Sequence, residues 1–201
     1  MIMHIEGKEA ELDLMKKAYE YIVIVDVEHT CTEDFSIPPN EREIIELGAV
    51  LVDIESLKII DEYCALVRPL RHPIISNFCK KLTGITQSEL DKAESFKTVF
   101  VDFYDWYTKN TKVIFATWGS YDLVQINIDC AFHNLEPFSP ATVINLKKTF
   151  KVMNKLKKPV GLKKALELSS YGLTGSYHRA LDDARNTAKL LRLMFCKSAK
   201  F

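Results

Sequence analysis

The chain has no charge of either sign to spare, because its 27 Lys and Arg are matched by 27 Asp and Glu. No global positive field draws in a polyanion, which disfavours a binder of long duplex nucleic acid. A short single-stranded end held locally by a few groups needs no such field. Cysteine is sparse: Cys31, Cys64, Cys79, Cys130 and Cys196 are odd in number and form no Cys-x-x-Cys. Reduced thiols in a cytosolic protein are therefore expected, and a zinc site is not. No stretch approaches the roughly 18 apolar residues of a membrane span, and the first residues carry charge too early for a secretory signal. The expectation is a soluble, cytoplasmic protein with no membrane partner. Internal repeats and low-complexity tracts are also missing.

What is present is a 201-residue chain with 47% hydrophobic residues, enough for a substantial single core. A short polar helix is expected over 8–19, followed by a strand over 20–27. Ile44 to Asp53 and Leu57 to Val67 read as two further strands after an irregular loop holding Pro38 and Pro39. Three strands in succession predict an antiparallel meander. Residues 74–109 have a helical pattern broken at Gly84. A fourth strand over 112–117 leads to a helix over 121–135, and a fifth, Thr142 to Asn145, leads to another helix. Strands alternating with helices imply parallel crossovers, so the fold class is α/β, a central five-stranded mixed sheet flanked by helices. The lysines at 147, 148, 151, 155, 157, 158, 163 and 164 form the only basic concentration. Most are expected on solvated helix faces, the rest beside a nucleic-acid backbone.

The first strand, Tyr-Ile-Val-Ile-Val, ends in Asp26-Val-Glu28-His-Thr30. Side chains two apart on a strand share a face, so both carboxylates point into one place. Such a pair repels itself unless a proton or cation sits between, and hard divalent ions take oxygen ligands. Alone, Asp-x-Glu reads as a strand end with solvated acids. Further acids change that: Asp122 opens a helical pattern, and His178-Arg-Ala-Leu-Asp182-Asp183 leads into a C-terminal amphipathic helix. His178 and an acid five residues on can meet at one point if the histidine lies on the preceding loop, for which Gly172 and Gly175 supply the backbone freedom.

In this order, Asp26, Glu28, Asp122, His178 and Asp183 resemble the DnaQ-like 3′-to-5′ exonucleases of the DEDDh type, whose fold is RNase H-like. The segments Asp26-Val-Glu-His-Thr-Cys31, Glu43-Ile-Ile-Glu-Leu-Gly-Ala49, Phe78-Cys-Lys-Lys-Leu-Thr-Gly-Ile-Thr-Gln87 and His178 to Asn186 resemble more narrowly the Eri-type exoribonucleases and their bacterial KapD-like relatives. The resemblance implies a single nuclease domain over 20–197 with an N-terminal helical extension over 1–19. It implies two Mg²⁺ or Mn²⁺ ions held by Asp26, Glu28, Asp122 and Asp183, with His178 as general base. It selects Asp183 over Asp182, which is left as a first-turn acid suited to the helix dipole. Single-stranded nucleic acid is the implied partner, RNA 3′ ends favoured over DNA, with nucleoside 5′-monophosphates released. A DNA-directed exonuclease of the same superfamily and a non-catalytic RNA-binding module are the alternatives.

For the terminal nucleotide, His29, Thr30 and Cys31 follow the acid pair closely, and Leu82, Thr83 and Ile85 resemble the loop that packs on its base and ribose. Trp118 reads either as a stacking platform or as a core residue. Glu46 reads either as a supporting strand acid or as a catalytic one. His29 stands where the family commonly has a small residue or threonine.

Overall fold

The structure is a computed structural model that describes residues 2–3 and 9–195. Cys196, the last two residues of the expected domain, and residues 1 and 4–8 of the expected extension lie outside the described residues. In chain order the elements are β1 (Ile2–Met3), α1 (Glu9–Ala18), β2 (Tyr21–His29), β3 (Ile44–Asp53), β4 (Ile59–Arg68), α2 (Asn77–Thr83), α3 (Gln87–Asp91), β5 (Glu94–Ser95), α4 (Phe96–Thr108), β6 (Val113–Thr117), α5 (Tyr121–Phe132), β7 (Val143–Asn145), α6 (Leu146–Met153), α7 (Leu162–Leu168) and α8 (Ala180–Phe195).

The strands form one mixed sheet in the order β1-β7-β6-β2-β3-β4-β5. The five expected strands are all there, with β2, β3 and β4 as the antiparallel meander and β6 and β7 as parallel additions. Two strands of two residues each extend the edges, β1 beside β7 and β5 beside β4. A two-residue strand has no periodicity for a sequence to display, so the expected count of five becomes seven.

Central strand β2 is buried on both faces, which is why it reads as an unbroken β-branched run rather than an alternating one. Ile22 and Ile24 join Val50, Val52, Ile114, Ile144 and the inner faces of α6, α7 and α8 in one core. Val23, Val25 and Val27 join Leu47, Leu51, Phe115 and the aromatic residues of α4 in the other. Asp26 and Glu28 continue the row of Ile22 and Ile24, so the chain's alternation delivers both acids to the α8 side of the sheet.

Local chemistry fixes the ends of several helices. Ser76 caps α2 by accepting from the Cys79 N–H, and Gly84 ends it at φ 72, a left-handed conformation that glycine adopts without penalty. The break expected there is thus a helix C-cap. Thr86 and Glu89 then form a reciprocal capping box that starts α3. Helix α5 stops at Phe132, three residues short of the expected 135, because His133 caps it and Asn134 turns to φ 53.

Candidate active site

The acids come from three elements. Asp26 and Glu28 lie on β2, Asp122 in the first turn of α5, and Asp183 in the first turn of α8, with Glu28, Asp122 and Asp183 all buried. Asp122 is tied back to the strand, its Oδ1 accepting from the Val27 N–H at 3.3 Å. His178 lies on the loop before α8; its own N–H donates to Asp183 Oδ2 at 3.1 Å, and its Nδ1 is 3.7 Å from Glu28 Oε1. Glu28, His178 and Asp183 each offer a ligand atom within 4.8 Å of the others.

The electrostatics are those of a site short of positive charge. Burial raises the Asp26 carboxyl well above the usual carboxylate range, and repulsion from Asp122, Glu28, Asp183 and Glu46 adds to it. Burial pushes Asp122 up to about 6, against the lowering effect of backbone N–H donors. Asp183 goes up to about 7, again chiefly by burial, with Glu28 adding repulsion and the His178 N–H opposing it. The contact with Glu28 holds the His178 imidazole above its ordinary value, against the effect of its own burial. Asp183 Oδ1 is buried and has no hydrogen-bond partner. An orphaned carboxylate oxygen facing other crowded acids is the donor set a hard divalent cation fits.

The loop that carries His178 is held by polar contacts and by unusual backbone. Gly175 sits at φ 74 and His178 at φ 63, whereas Gly172 has ordinary backbone. Histidine tolerates the left-handed region better than most side chains, at a cost of order 1–3 kcal/mol that the surroundings must offset. Asp182 supplies part of that support: its Oδ2 accepts from the Ser176 N–H at 2.9 Å, and its Oδ1 pairs with Arg185 at 3.1 Å. Asp182 therefore faces the loop, while Asp183 faces Glu28 and His178. The ring of Tyr177 stacks at a tilt on that of His178, centroids 4.1 Å apart, a neighbour no motif announced.

Of the residues expected near a terminal nucleotide, several are committed to the protein itself. Thr30 is buried, its hydroxyl accepting from the Glu43 N–H. Thr83 donates its hydroxyl back to the Cys79 carbonyl in α2 and accepts from the Ile85 N–H, and Ile85 is core. Leu82 is half-buried, and Cys31 packs half-buried against the α2 cluster containing Cys79. His29 points its Nδ1 at the Thr30 carbonyl at 2.9 Å and meets the Tyr121 ring at 5.2 Å; burial lowers its pKa. Trp118 rests on Phe150 and donates its indole N–H to the Val160 carbonyl.

Glu43, which sequence reasoning left without a role, accepts three backbone N–H groups, from Leu70, Arg71 and His72, and pins the chain leaving β4. Asp129 and Gln125 do the same for the start of β3 through the Ile44 N–H and the Arg42 carbonyl. Partners so far apart in sequence leave no local signal.

An α/β sheet with acids gathered from one strand and two helix starts defines a class, the RNase H-like nucleases. The chain belongs to the Exonuclease family, whose pattern matches residues 23–191. It is 34% identical to ERI1 exoribonuclease 2 of Homo sapiens over 197 residues, 87% of this chain and 28% of that protein. Among solved structures it resembles the nuclease domain of 3′hExo, a DEDDh family member bound to rAMP, at 33% identity with a TM-score of 0.79, covering 90% of this chain and 94% of that one. A 3′-exonuclease recognising the 3′ end of a histone mRNA stem-loop is similar too, at 31% identity and TM-score 0.81, covering 94% and 70%. The chain spans about three tenths of the length of the human relative. The family is metal-dependent, and no helix among the described residues is long and apolar enough to cross a membrane.

Proposed function

We propose that this chain is a divalent-metal-dependent 3′-to-5′ exonuclease that shortens single-stranded RNA or RNA overhangs and releases nucleoside 5′-monophosphates. The observation that carries the reading is that Glu28, His178 and Asp183 meet within 4.8 Å at the strand that also bears Asp26 and holds Asp122, with Asp183 Oδ1 left unpartnered. The four acids would hold two Mg²⁺ or Mn²⁺ ions. When bound, the ions supply charge stabilisation for the attacking and leaving oxygens of the phosphodiester.

The chain's own residues do the rest. His178, on its constrained loop beside Glu28, takes the proton of the attacking water at its imidazole. The contact with Glu28 holds that imidazole above its ordinary pKa, so it accepts a proton more readily than a free histidine. Leu82, His29 and Cys31 border the place for a terminal nucleotide; Thr30, Thr83 and Ile85 shape it from behind, and Trp118 forms its wall beside Phe150. RNA is favoured as substrate because the similar human protein is named an exoribonuclease and the similar structures concern rAMP and an mRNA stem-loop. Residues 20–197 form the nuclease domain on this reading, with 1–19 as an extension.

The test is incubation of 5′-labelled single-stranded RNA and matched DNA with Mg²⁺, Mn²⁺ or chelator. A metal-dependent ladder shortening from the 3′ end, faster on RNA, is expected. Intact oligonucleotides under every condition would overturn the activity, and equal or faster loss of DNA would overturn the substrate.

A further inference from the structure

Glu46 is the acid that the catalytic reading leaves unused, and its surroundings are unlike those of the others. It stands directly opposite Glu28 across the β2–β3 pair, on the same face of the sheet. Like charges in that position repel. Glu46 is buried to 1% exposure, yet its carboxylate is saturated rather than orphaned. Arg179 grips it with Nη2 at 2.7 Å from Oε1 and Nε at 3.0 and 3.1 Å from the two oxygens, and the Ala180 N–H donates to Oε2 at 2.8 Å. The Cys64 thiol lies 3.7 Å from Oε1.

Arg179 follows His178 in the chain, and its carbonyl accepts the Asp183 N–H at 2.9 Å in the first turn of α8. The ion pair therefore grips a residue that joins the His178 loop to the Asp183 turn. Two positions along β3 on the same face, Gly48 faces Asp26 across the strand pair. A Cβ there would come within 2.2 Å of the Leu181 N and 2.3 Å of the Ala180 carbonyl carbon. The start of α8 is thus seated against bare backbone at Gly48 and drawn down by the carboxylate of Glu46.

We propose that Glu46 and Arg179 are positioning residues, a clamp from β3 that sets His178 and Asp183 against Glu28 and keeps Glu46 itself out of the metal-binding set. The bidentate guanidinium fixes direction as well as distance, which a lysine in the same place does not. The pair also offsets part of the charge facing Glu28, leaving that acid available to a cation and to the imidazole. This inference rests on the nuclease reading, but the clamp makes a claim about geometry that is measurable without turnover.

The experiment compares wild type with Glu46→Gln, Arg179→Lys and Arg179→Ala, alongside Asp26→Asn and a destabilised control, Trp106→Phe, which loses a bond to Asp61 far from the site. Three readouts are taken: kcat and KM on labelled RNA, Mn²⁺ affinity by calorimetry, and hydrogen exchange of residues 176–184 in metal-free protein. Losing an outer support of a metal site typically costs 10- to 100-fold in affinity or activity. Glu46→Gln and Arg179→Ala are expected to lower kcat about 10- to 100-fold with KM within about threefold, to weaken Mn²⁺ about tenfold, and to speed exchange at 176–184. Arg179→Lys should fall between, and it serves if the other two do not fold. Trp106→Phe should change none of these.

Wild-type kcat, Mn²⁺ affinity and exchange in the clamp variants, with Asp26→Asn inactive, would overturn the clamp and spare the nuclease reading. A matching loss in Trp106→Phe would reduce the clamp to general stability and overturn it as well. If wild type cuts nothing, the Mn²⁺ and exchange results still decide the clamp while the nuclease reading falls.

Discussion

The two halves of the site are built by opposite means. Asp26 and Glu28 are delivered by the central strand of the sheet, whose register with β3 and β6 is fixed by apolar residues on both faces. His178 and Asp183 are delivered by a loop with two left-handed residues and a helix start held by Asp182, Arg179 and Glu46. A one-residue slip of β2 would turn its whole row of side chains to the wrong face, so hydrophobic burial specifies the acid pair for free. Nothing apolar specifies φ 63 at His178. The loop half depends on hydrogen bonds to carboxylates, some local to Asp182 and one, between Arg179 and Glu46, spanning 133 residues of chain.

If the strand half is catalytic but structurally indifferent, Asp26→Asn should abolish turnover, by about 10³-fold or more, while leaving the metal-free protein more stable. The sign follows from its raised pKa: the folded state disfavours the charged form, so removing the charge relieves folded protein above about pH 4. Calorimetry and a single-turnover assay on one preparation check both parts, and a lowered Tm would break the contrast. On the loop half, His178→Ala should lower turnover by about 10²- to 10⁴-fold with Mn²⁺ affinity retained. Near-wild-type turnover would remove the imidazole from the chemistry.

A third prediction joins the halves through pH. Asp122 and Asp183, at about 6 and about 7 in the folded protein, titrate near 4 when unfolded. The folded state then holds extra protons between those values, so stability is full below about pH 4 and falls as pH climbs through 6 to 7. Divalent cation should reverse the loss, raising Tm by about 5–10 °C at pH 8 with a hundredfold excess over Kd and little at pH 4. Asp129, also pushed up to about 7 by burial but bonded to Ile44 and Gln125, keeps its share of the pH dependence in the presence of metal. Equal Tm gains at both pH values would sever the cation from these acids. The smallest effect is expected from Gly175→Ala, where strain at φ 74 and overlap with the Asp182 carboxylate should cost roughly 1–3 kcal/mol and under tenfold in activity. A larger activity loss would mean that the loop half transmits strain directly to His178.

The same asymmetry explains what could be read from the sequence. The apolar run of β2, the meander and the parallel additions follow from periodicity, and the break that ends α2 from Gly84. The edge strands β1 and β5 are too short to pattern. In the site, the five motif residues carry their own signature, whereas Glu46 could only be left open, since its meaning lies in Arg179. Thr30, Thr83 and Ile85 are expected near the nucleotide by position; that all three are buried, Thr83 at the end of α2, is not legible locally. Glu43 and Asp129 give no local hint, because each satisfies backbone groups from a distant segment.

The bare backbone at Gly48 bears on how such a site could be transplanted. A designer who copied all five motif residues onto another mixed sheet would reproduce the chemistry on paper and still leave the last helix standing away from the strands, unless the position opposite the first acid were empty. What must be inherited is a vacancy as much as a set of groups, and substituting the five residues alone cannot create it.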